Sequence, residues 1–401
     1  MNKHRVVITG LGVVSPLGCN VEKMFSNLLQ GESHFQKPQN FLREYEGGLQ
    51  LVSPVSDDYE KRCREYEVSI DHSISSYSLL ACKQAIESAG LKNEEEMLQH
   101  ADLHIGTSES YCFDNIDYIK CSGNDAKDYL KGRYPAETLS LIASELNIQG
   151  EALAFPIACS GGNVSISTGA RKIKYGQKDI CIVGSVDCIS EKTYTTFHCL
   201  GALSPSSCKP FDKQRDGITV GEGAGFLVLE NLEHAIQRGV PILAEVMGYN
   251  ISCDAHHLTT PDINGMIATK SIRKALEMAE IKPEQISYIS PHGTGTYSND
   301  LQEANAIFRI FEGQSEDIPV SGIKSMLGHC MSAASSIEAI VATLSIQKNA
   351  IPETINTYQS DDSFPCKLNT ANFSDRQVSA ILSNSFAFGG NICSIVLAKY
   401  Q

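Results

Sequence analysis

Four short stretches hold the residues able to do chemistry. In Pro-Ile-Ala-Cys-Ser-Gly-Gly-Asn, residues 156–163, Cys159 sits among tiny side chains. Ala158, Ser160, Gly161 and Gly162 leave room for a substrate to reach the sulfur. An apolar strand pattern precedes the cysteine and a long helical pattern follows it, so a helix is expected to start there. A helix start aims free N–H groups and a positive dipole end at the thiol, which favours a thiolate nucleophile. A buried cysteine packed against glycines is the competing reading of the same residues.

His292 follows an apolar strand and enters the Gly/Thr loop Ser-Pro-His-Gly-Thr-Gly-Thr-Tyr-Ser-Asn-Asp, residues 290–300. Loops at strand ends carry chemistry more often than other loops. Thr294 and Thr296 are suited to hydrogen-bond a polar ligand chain, although a turn histidine with capping threonines reads the same way. Lys324 and His329 flank a turn within residues 321–336, and His329 is expected at a helix start. A positive helix end and a neighbouring cation both disfavour imidazolium, so His329 is expected neutral and able to donate one hydrogen bond. The plain alternative is an exposed lysine and a capping histidine. In residues 383–394 a strand runs into Phe386, Phe388, Gly389 and Gly390. Such glycines allow close backbone approach, and an N–H here is able to form half of an oxyanion hole.

These residues need a scaffold. Strand patterns fall at residues 5–12, 102–107, 152–158, 179–186, 225–230, 242–252, 286–292, 378–386 and 394–400. Helical spacing appears at Ile272, Ala275, Leu276 and Ala279, and again at Ala334, Ile337, Val341 and Leu344. Continuous apolar strands between helices predict an α/β layering with sheets covered on both faces. The chain also hints at duplication. Cys159 precedes a helix ending near Gly176, and His329 precedes one ending near Asn349. No linker separates the halves, so one intertwined unit is expected.

Composition excludes several classes. Lys plus Arg minus Asp plus Glu is 33 − 47, a charge of −14, which argues against nucleic-acid binding. An acidic carrier still has local basic patches to dock on: Lys61, Arg62 and Arg64; Lys127, Lys131 and Arg133; or Lys209, Lys213 and Arg215. Each is equally a solvated face. The 14 cysteines show no CxxC pair, zinc spacing or even framework, which reads as reduced cytoplasmic thiols and no metal site. The first 18 residues mimic a signal peptide, but Gly10, Gly12 and Pro16 break the apolar run. No stretch of about 18 apolar residues predicts a membrane span. Gly-Glu-Gly-Ala-Gly, residues 221–225, leads into a strand and opens no helix, so it fails as a dinucleotide loop. Residues 211–225 are instead expected to make a tight interior turn.

Taken together, one cysteine, two histidines and one lysine in a fixed order bring in a resemblance. The chain resembles the beta-ketoacyl-ACP synthases, in particular the type II elongating condensing enzymes and related polyketide ketosynthases. The resemblance rests on RVVITGLGVVSPLG, ACSGG, KPFDKQRDG, GEGAG, DAHHLTTP, PHGTGT with the following ND, KSMLGH and NSFAFGG, and covers almost the whole chain. It implies the thiolase fold: duplicated halves, here 1–250 with the nucleophile and 251–401 with both histidines, in five layers α-β-α-β-α. It implies acyl transfer from the phosphopantetheine arm of an acyl carrier protein to Cys159, with no tightly bound cofactor. His292 and His329 would then bind the malonyl thioester carbonyl during decarboxylation. Lys324 would support the His329 side, with Glu338 in the same network. The N–H groups of Cys159 and Phe388 would form the oxyanion hole, and Phe388 the gate. Thr294, Thr296 and Thr260 would contact the pantetheine. A homodimer, or a heterodimer with a chain-length-factor-like homologue, is implied.

Three departures from the family pattern bear on substrate. Asn391-Ile392 replaces the usual Thr-Asn, Ile218 replaces a Phe, and the segment of residues 128–146 looks short. The drift leans towards a specialised polyketide or aryl-polyene pathway, with housekeeping fatty-acid elongation as the alternative. A non-elongating structural partner, and a hydrolase or acyltransferase that forms no carbon–carbon bond, are the readings from other classes.

Overall fold

The computed structural model describes residues 3–39, 41, 45, 51–108, 135–312, 317–365, 367–370, 373 and 377–401. The basic patch at Lys127, Lys131 and Arg133 and residues 128–134 of the 128–146 segment lie outside them. The strands are β1 Val6–Val14, β2 Val52–Ser53, β3 Asp102–Gly106, β4 Ala152–Phe155, β5 Ile180–Asp187, β6 Val220–Gly221, β7 Gly223–Asn231, β8 Ala244–Cys253, β9 Tyr288–Ser290, β10 Ala380–Ala387 and β11 Asn391–Ala398. Five helices frame the site: α1 Ile74–Ser88, α2 Gly161–Lys174, α3 Met266–Ala279, α4 Tyr297–Ile310 and α5 Ala333–Lys348.

Nine strands join in the order β4-β3-β5-β7-β1-β8-β11-β10-β9, and β2 pairs with β6 apart from them. The order repeats. From β1 outward through β7, β5 and β3 the pairings are antiparallel, antiparallel and parallel. From β8 outward through β11, β10 and β9 they are the same. Within the nine-stranded sheet the two parts pair at Val7↔Glu245 and Ile8↔Ala244, so the sheet turns there and folds into two layers.

Three cores fill the gaps. Between the layers, Ile166 and Ala170 of α2 and Ile337, Ile340 and Val341 of α5 pack with Val183 and Leu227 from one part and Ile381 and Ile395 from the other. Outside one layer, Leu80 and Ala85 of α1 cover Leu103, Ile182 and Val228. Outside the other, Ile272 of α3 and Ile307 of α4 cover Leu382 and Val396. The result is the five-layered α-β-α-β-α arrangement of the thiolase fold. Strands β1, β5 and β7 are buried residue by residue, which is why they read as continuous apolar runs. Helix α5 is buried from Ala333 to Ile346, its polar side chains Ser335, Ser336, Glu338 and Thr343 included.

The interior turn expected over 211–225 is confined to residues 210–214, and from Val220 the segment is extended as β6 and the start of β7. The glycines serve packing instead. A Cβ on Gly225 would stand 2.8 Å from Ser336 Oγ and 3.0 Å from Ile337 N, because α5 lies directly on the strand. Gly162 of α2 is tighter still, 2.5 Å from Ser336 N. Small residues let the two central helices and the sheet close on one another. Among the described residues no helix is long and apolar enough to cross a membrane.

Candidate active site

Cys159 lies in the one-turn segment Ala158–Ser160 that runs straight into α2. Ala158 before it has φ +33°, a left-handed backbone that costs strain in a residue with a Cβ. The expected strand at 152–158 therefore stops at Phe155, and the bend presents the sulfur. His292 leaves β9 in the Gly/Thr loop. His329 follows the short helix Lys324–Leu327.

These three chain segments converge. The ligand atoms of Cys159, His292 and His329 all lie within 4.8 Å of one another. The two imidazoles are 5.4 Å apart, nearly perpendicular at 81°. That spacing would also suit the ligands of a single metal ion. All three line a cavity of about 380 Å³, together with Thr294, Thr296, Thr260 and Phe388. Thr294 Oγ1 and Thr296 Oγ1 share a hydrogen bond of 2.9 Å. The N–H of Thr260 donates to His257 Nδ1 at 3.2 Å on the rim. Phe388 is half-exposed and stacks on Phe197 at 5.9 Å; Gly389 and Gly390 beside it take φ +80° and +77°.

The electrostatics of the group are those of a dry, neutral site. Burial drives both histidines well below their ordinary pKa, and the Lys324 cation pushes the same way. Both Nδ1 atoms are buried with no hydrogen-bond partner among the described residues. An orphaned N–H costs more than an unused lone pair, so we assign the proton to Nε2, the edge left to meet a ligand. Burial also pushes the Cys159 thiol up to about 12, against the downward pull of Lys324. This corrects the expectation of a resting thiolate: in a closed site the desolvation of a charged sulfur outweighs the helix start.

Two further expectations need correction. His329 is not at a helix start, since α5 begins only at Ala333. It sits in a backbone bridge, its N–H donating to Thr219 O at 2.6 Å and its carbonyl accepting from Gly221 N at 2.9 Å. Its neutrality comes from burial. Lys324 serves the other histidine: Nζ donates to His292 O at 2.6 Å and to Glu338 Oε1 at 2.5 Å. Neither Lys324 nor Glu338 is exposed to the main cavity; they brace it from behind. Burial raises Glu338 to about 7 despite the lysine.

Sequence reasoning missed the carboxylates that hold the loops. Glu303 on α4 accepts from His292 N at 3.0 Å, Gly293 N at 2.9 Å and Asn384 Nδ2 at 3.2 Å. Asp187 at the end of β5 accepts from Thr107 Oγ1 at 3.0 Å and Ser332 N at 2.6 Å, tying β3 to the entry of α5. A signal for Glu303 was present: it shares a helix face with Ala304 and Ile307, where an acid has to be buried.

The two basic patches among the described residues prove largely self-neutralised. Lys61 and Arg62 meet Glu65, and Arg64 meets Glu60. Lys209 meets Asp216, Lys213 meets Asp362, and Arg215 is a buried partner of Asp361.

Family models match two long spans: beta-ketoacyl synthase, N-terminal domain, over residues 3–235, and beta-ketoacyl synthase, C-terminal domain, over residues 243–358. The chain belongs to the beta-ketoacyl synthase family. It is thereby an acyltransferase-type condensing enzyme, and the Cys159–His292–His329 cluster lies in the cavity where such chemistry is expected. A 3-oxoacyl-[acyl-carrier-protein] synthase 2 from Coxiella burnetii is 32% identical over 100% of this chain and 99% of that protein. The ishigamide ketosynthase/chain length factor structure is 34% identical, with full coverage of both chains and a TM-score of 0.89. AntDE:AntF, a type II PKS acyl-carrier protein in complex with its ketosynthase bound to the hexaketide, is 27% identical over 99% of this chain and 100% of that one, with a TM-score of 0.88.

Proposed function

We propose that this synthase catalyses decarboxylative condensation of malonyl-ACP with an acyl chain held on Cys159, giving 3-ketoacyl-ACP. The observation that carries the reading is the convergence of one thiol and two neutral imidazoles within 4.8 Å at a buried cavity wall.

In the first step Cys159 Sγ attacks the acyl thioester of the carrier's phosphopantetheine. The C–S bond to the carrier breaks, and the thiol proton ends on the departing pantetheine sulfur. No net charge is created, which suits a site that resists a resting thiolate. In the second step malonyl-ACP enters, with Thr294, Thr296 and Thr260 along its arm. The bond to the carboxylate breaks and carbon dioxide leaves. The electron pair moves onto the thioester oxygen, where Nε2–H of His292 and of His329 stabilise it. Neutral donors suit this step, because a cationic site would hold the malonyl carboxylate in its ionised ground state. The carbon then attacks the acyl carbonyl on Cys159. The backbone N–H groups of Cys159 and Phe388 hold the tetrahedral oxyanion, the Cys159 sulfur leaves, and a solvent proton restores the thiol. Lys324 and Glu338 are positioning residues behind His292. Phe388 swings off Phe197 to admit substrate.

The same proposal covers the halves and the assembly. The repeated strand order supports a nucleophile half and a histidine half, proposed as 1–250 and 251–401, with β8, Ala244–Cys253, the strand at which the repeat turns over. A second chain, a copy or a chain-length-factor-like homologue, would complete the dimer beside the outermost strand β4, most of which stays partly accessible. The free state of all described cysteines supports a reducing cytoplasm. The departures from the family pattern at Ile218 and Asn391-Ile392 are what lean this reading to a specialised pathway over housekeeping elongation.

The test is product analysis. Purified protein given acyl-ACP and malonyl-ACP is expected to release carbon dioxide and 3-ketoacyl-ACP in equal amounts, and Cys159→Ala to abolish the product. Free acid in place of a 3-ketoacyl product would overturn the reading.

A further inference from the structure

We propose that the exposed face of α3 is the docking surface for the acidic carrier protein that delivers the acyl group. The inference rests on the functional reading above. An arm entering the cavity requires its carrier to sit beside the mouth, and the polypeptide itself leads from that mouth onto α3. Leu258 lines the cavity and is 73% exposed. The chain continues through Ile263 to Met266, the first residue of α3, 44% and 54% exposed.

Helical geometry then sets the surface. At 100° per residue, Met266, Lys270, Arg273 and Lys274 fall within an arc of about 100°. All four are exposed, while Ala268, Ile272 and Leu276 turn into the core. At 1.5 Å per residue, Lys270 lies about 6 Å and Arg273 about 10 Å along the axis from Met266. An apolar strip at the mouth thus passes directly into three cations, with Glu277 the one acid on the same arc.

Those cations are unspent. Among the described residues, Lys270, Arg273 and Lys274 make no ion pair or side-chain hydrogen bond. The described basic residues nominated from sequence are instead paired with neighbouring acids. The surface ends at a groove of about 310 Å³ lined by Arg273, Arg309, Leu276 and Ile310, with Glu277 and Glu280 also on its wall. In a chain of charge −14, unpaired cations next to an apolar opening fit an acidic partner whose contact face carries a few apolar side chains.

The test is the triple charge reversal Lys270→Glu, Arg273→Glu, Lys274→Glu, assayed with one acyl group presented in two ways. With acyl-ACP, kcat/KM for Cys159 acylation is expected to fall at least about tenfold at low salt, as lost steering does, with the gap shrinking at high salt. With the same acyl group on free pantetheine, the rate is expected to equal that of the unaltered protein. Unchanged kinetics with acyl-ACP would overturn the proposal, as would an equal loss with both donors. A change of oligomeric mass in the variant would also overturn it, by making the face a contact between copies. If the unaltered protein fails to take the acyl group even from pantetheine, the functional reading itself is what falls.

Discussion

Glu303→Gln separates what burial does to stability from what the carboxylate does for His292. Burial lifts Glu303 from 4.5 to about 7, so the fold prefers the protonated acid. The unaltered protein therefore loses stability as pH rises from about 4.5 through about 7. A rise of about 2.5 units corresponds to about 3 kcal/mol. Unfolding entropy of about 2.1 cal/mol/K per residue makes that about 4 °C in Tm for a chain of this length. Glutamine cannot ionise, so between pH 5 and 8 Tm is expected to fall about 3 °C less in the variant, part of the loss lying below pH 5. Function moves the other way. Glutamine offers one acceptor oxygen where the carboxylate offers two, so one N–H of His292 or Gly293 loses its partner, at about 1–3 kcal/mol. A shift of about 1 Å in a reacting group costs about 100-fold in rate, so malonyl decarboxylation is expected to drop between tenfold and 100-fold at every pH. Parallel melting curves across the pH range would refute the burial argument. Undiminished decarboxylation would refute the positioning role.

Other outcomes follow from the same geometry. His329→Ala is expected to stop carbon dioxide release while Cys159 still accepts an acyl group; loss of acylation as well would show that the division of labour is wrong. Alkylation of ligand-free Cys159 is expected to rise about tenfold per pH unit from 7 to 10, because the thiol is held near 12; a plateau near neutrality would mean a resting thiolate. Gly162→Ala puts a methyl 2.5 Å from Ser336 N and 2.6 Å from Ser185 Oγ, an overpacking expected to cost about 1–3 kcal/mol and measurable as a lowered Tm; an unchanged Tm would show that α2 and α5 have room to separate.

Much of this was legible in the chain. The buried strands announced themselves because both faces are covered, which makes runs such as Ile180–Asp187 and Gly223–Asn231 continuous. Cys159, His292 and His329 stood out because small residues surround them, and the same small residues let α2, α5 and the sheet approach. What stayed hidden depends on distances through space. The Cys159 thiol is raised because three segments close over it, and no local pattern reports that. His329 owes its neutrality to burial, although its neighbours in sequence suggested a helix end. Lys324 reaches His292 across 32 residues, so its partner was misassigned. The pairing of Lys61, Arg62 and Arg64 with Glu65 and Glu60 was by contrast legible, since these are i,i+3 and i,i+4 neighbours on the helix Tyr59–Tyr66.

Intact-protein mass spectrometry tests the central claim most directly. The protein is mixed with acyl-ACP, then with malonyl-ACP, and both proteins are weighed at each stage. A single acyl adduct is expected on Cys159, disappearing as the carrier gains a 3-ketoacyl chain two carbons longer. A folded protein that never carries the adduct, or carries it and releases only free acid, would contradict the account.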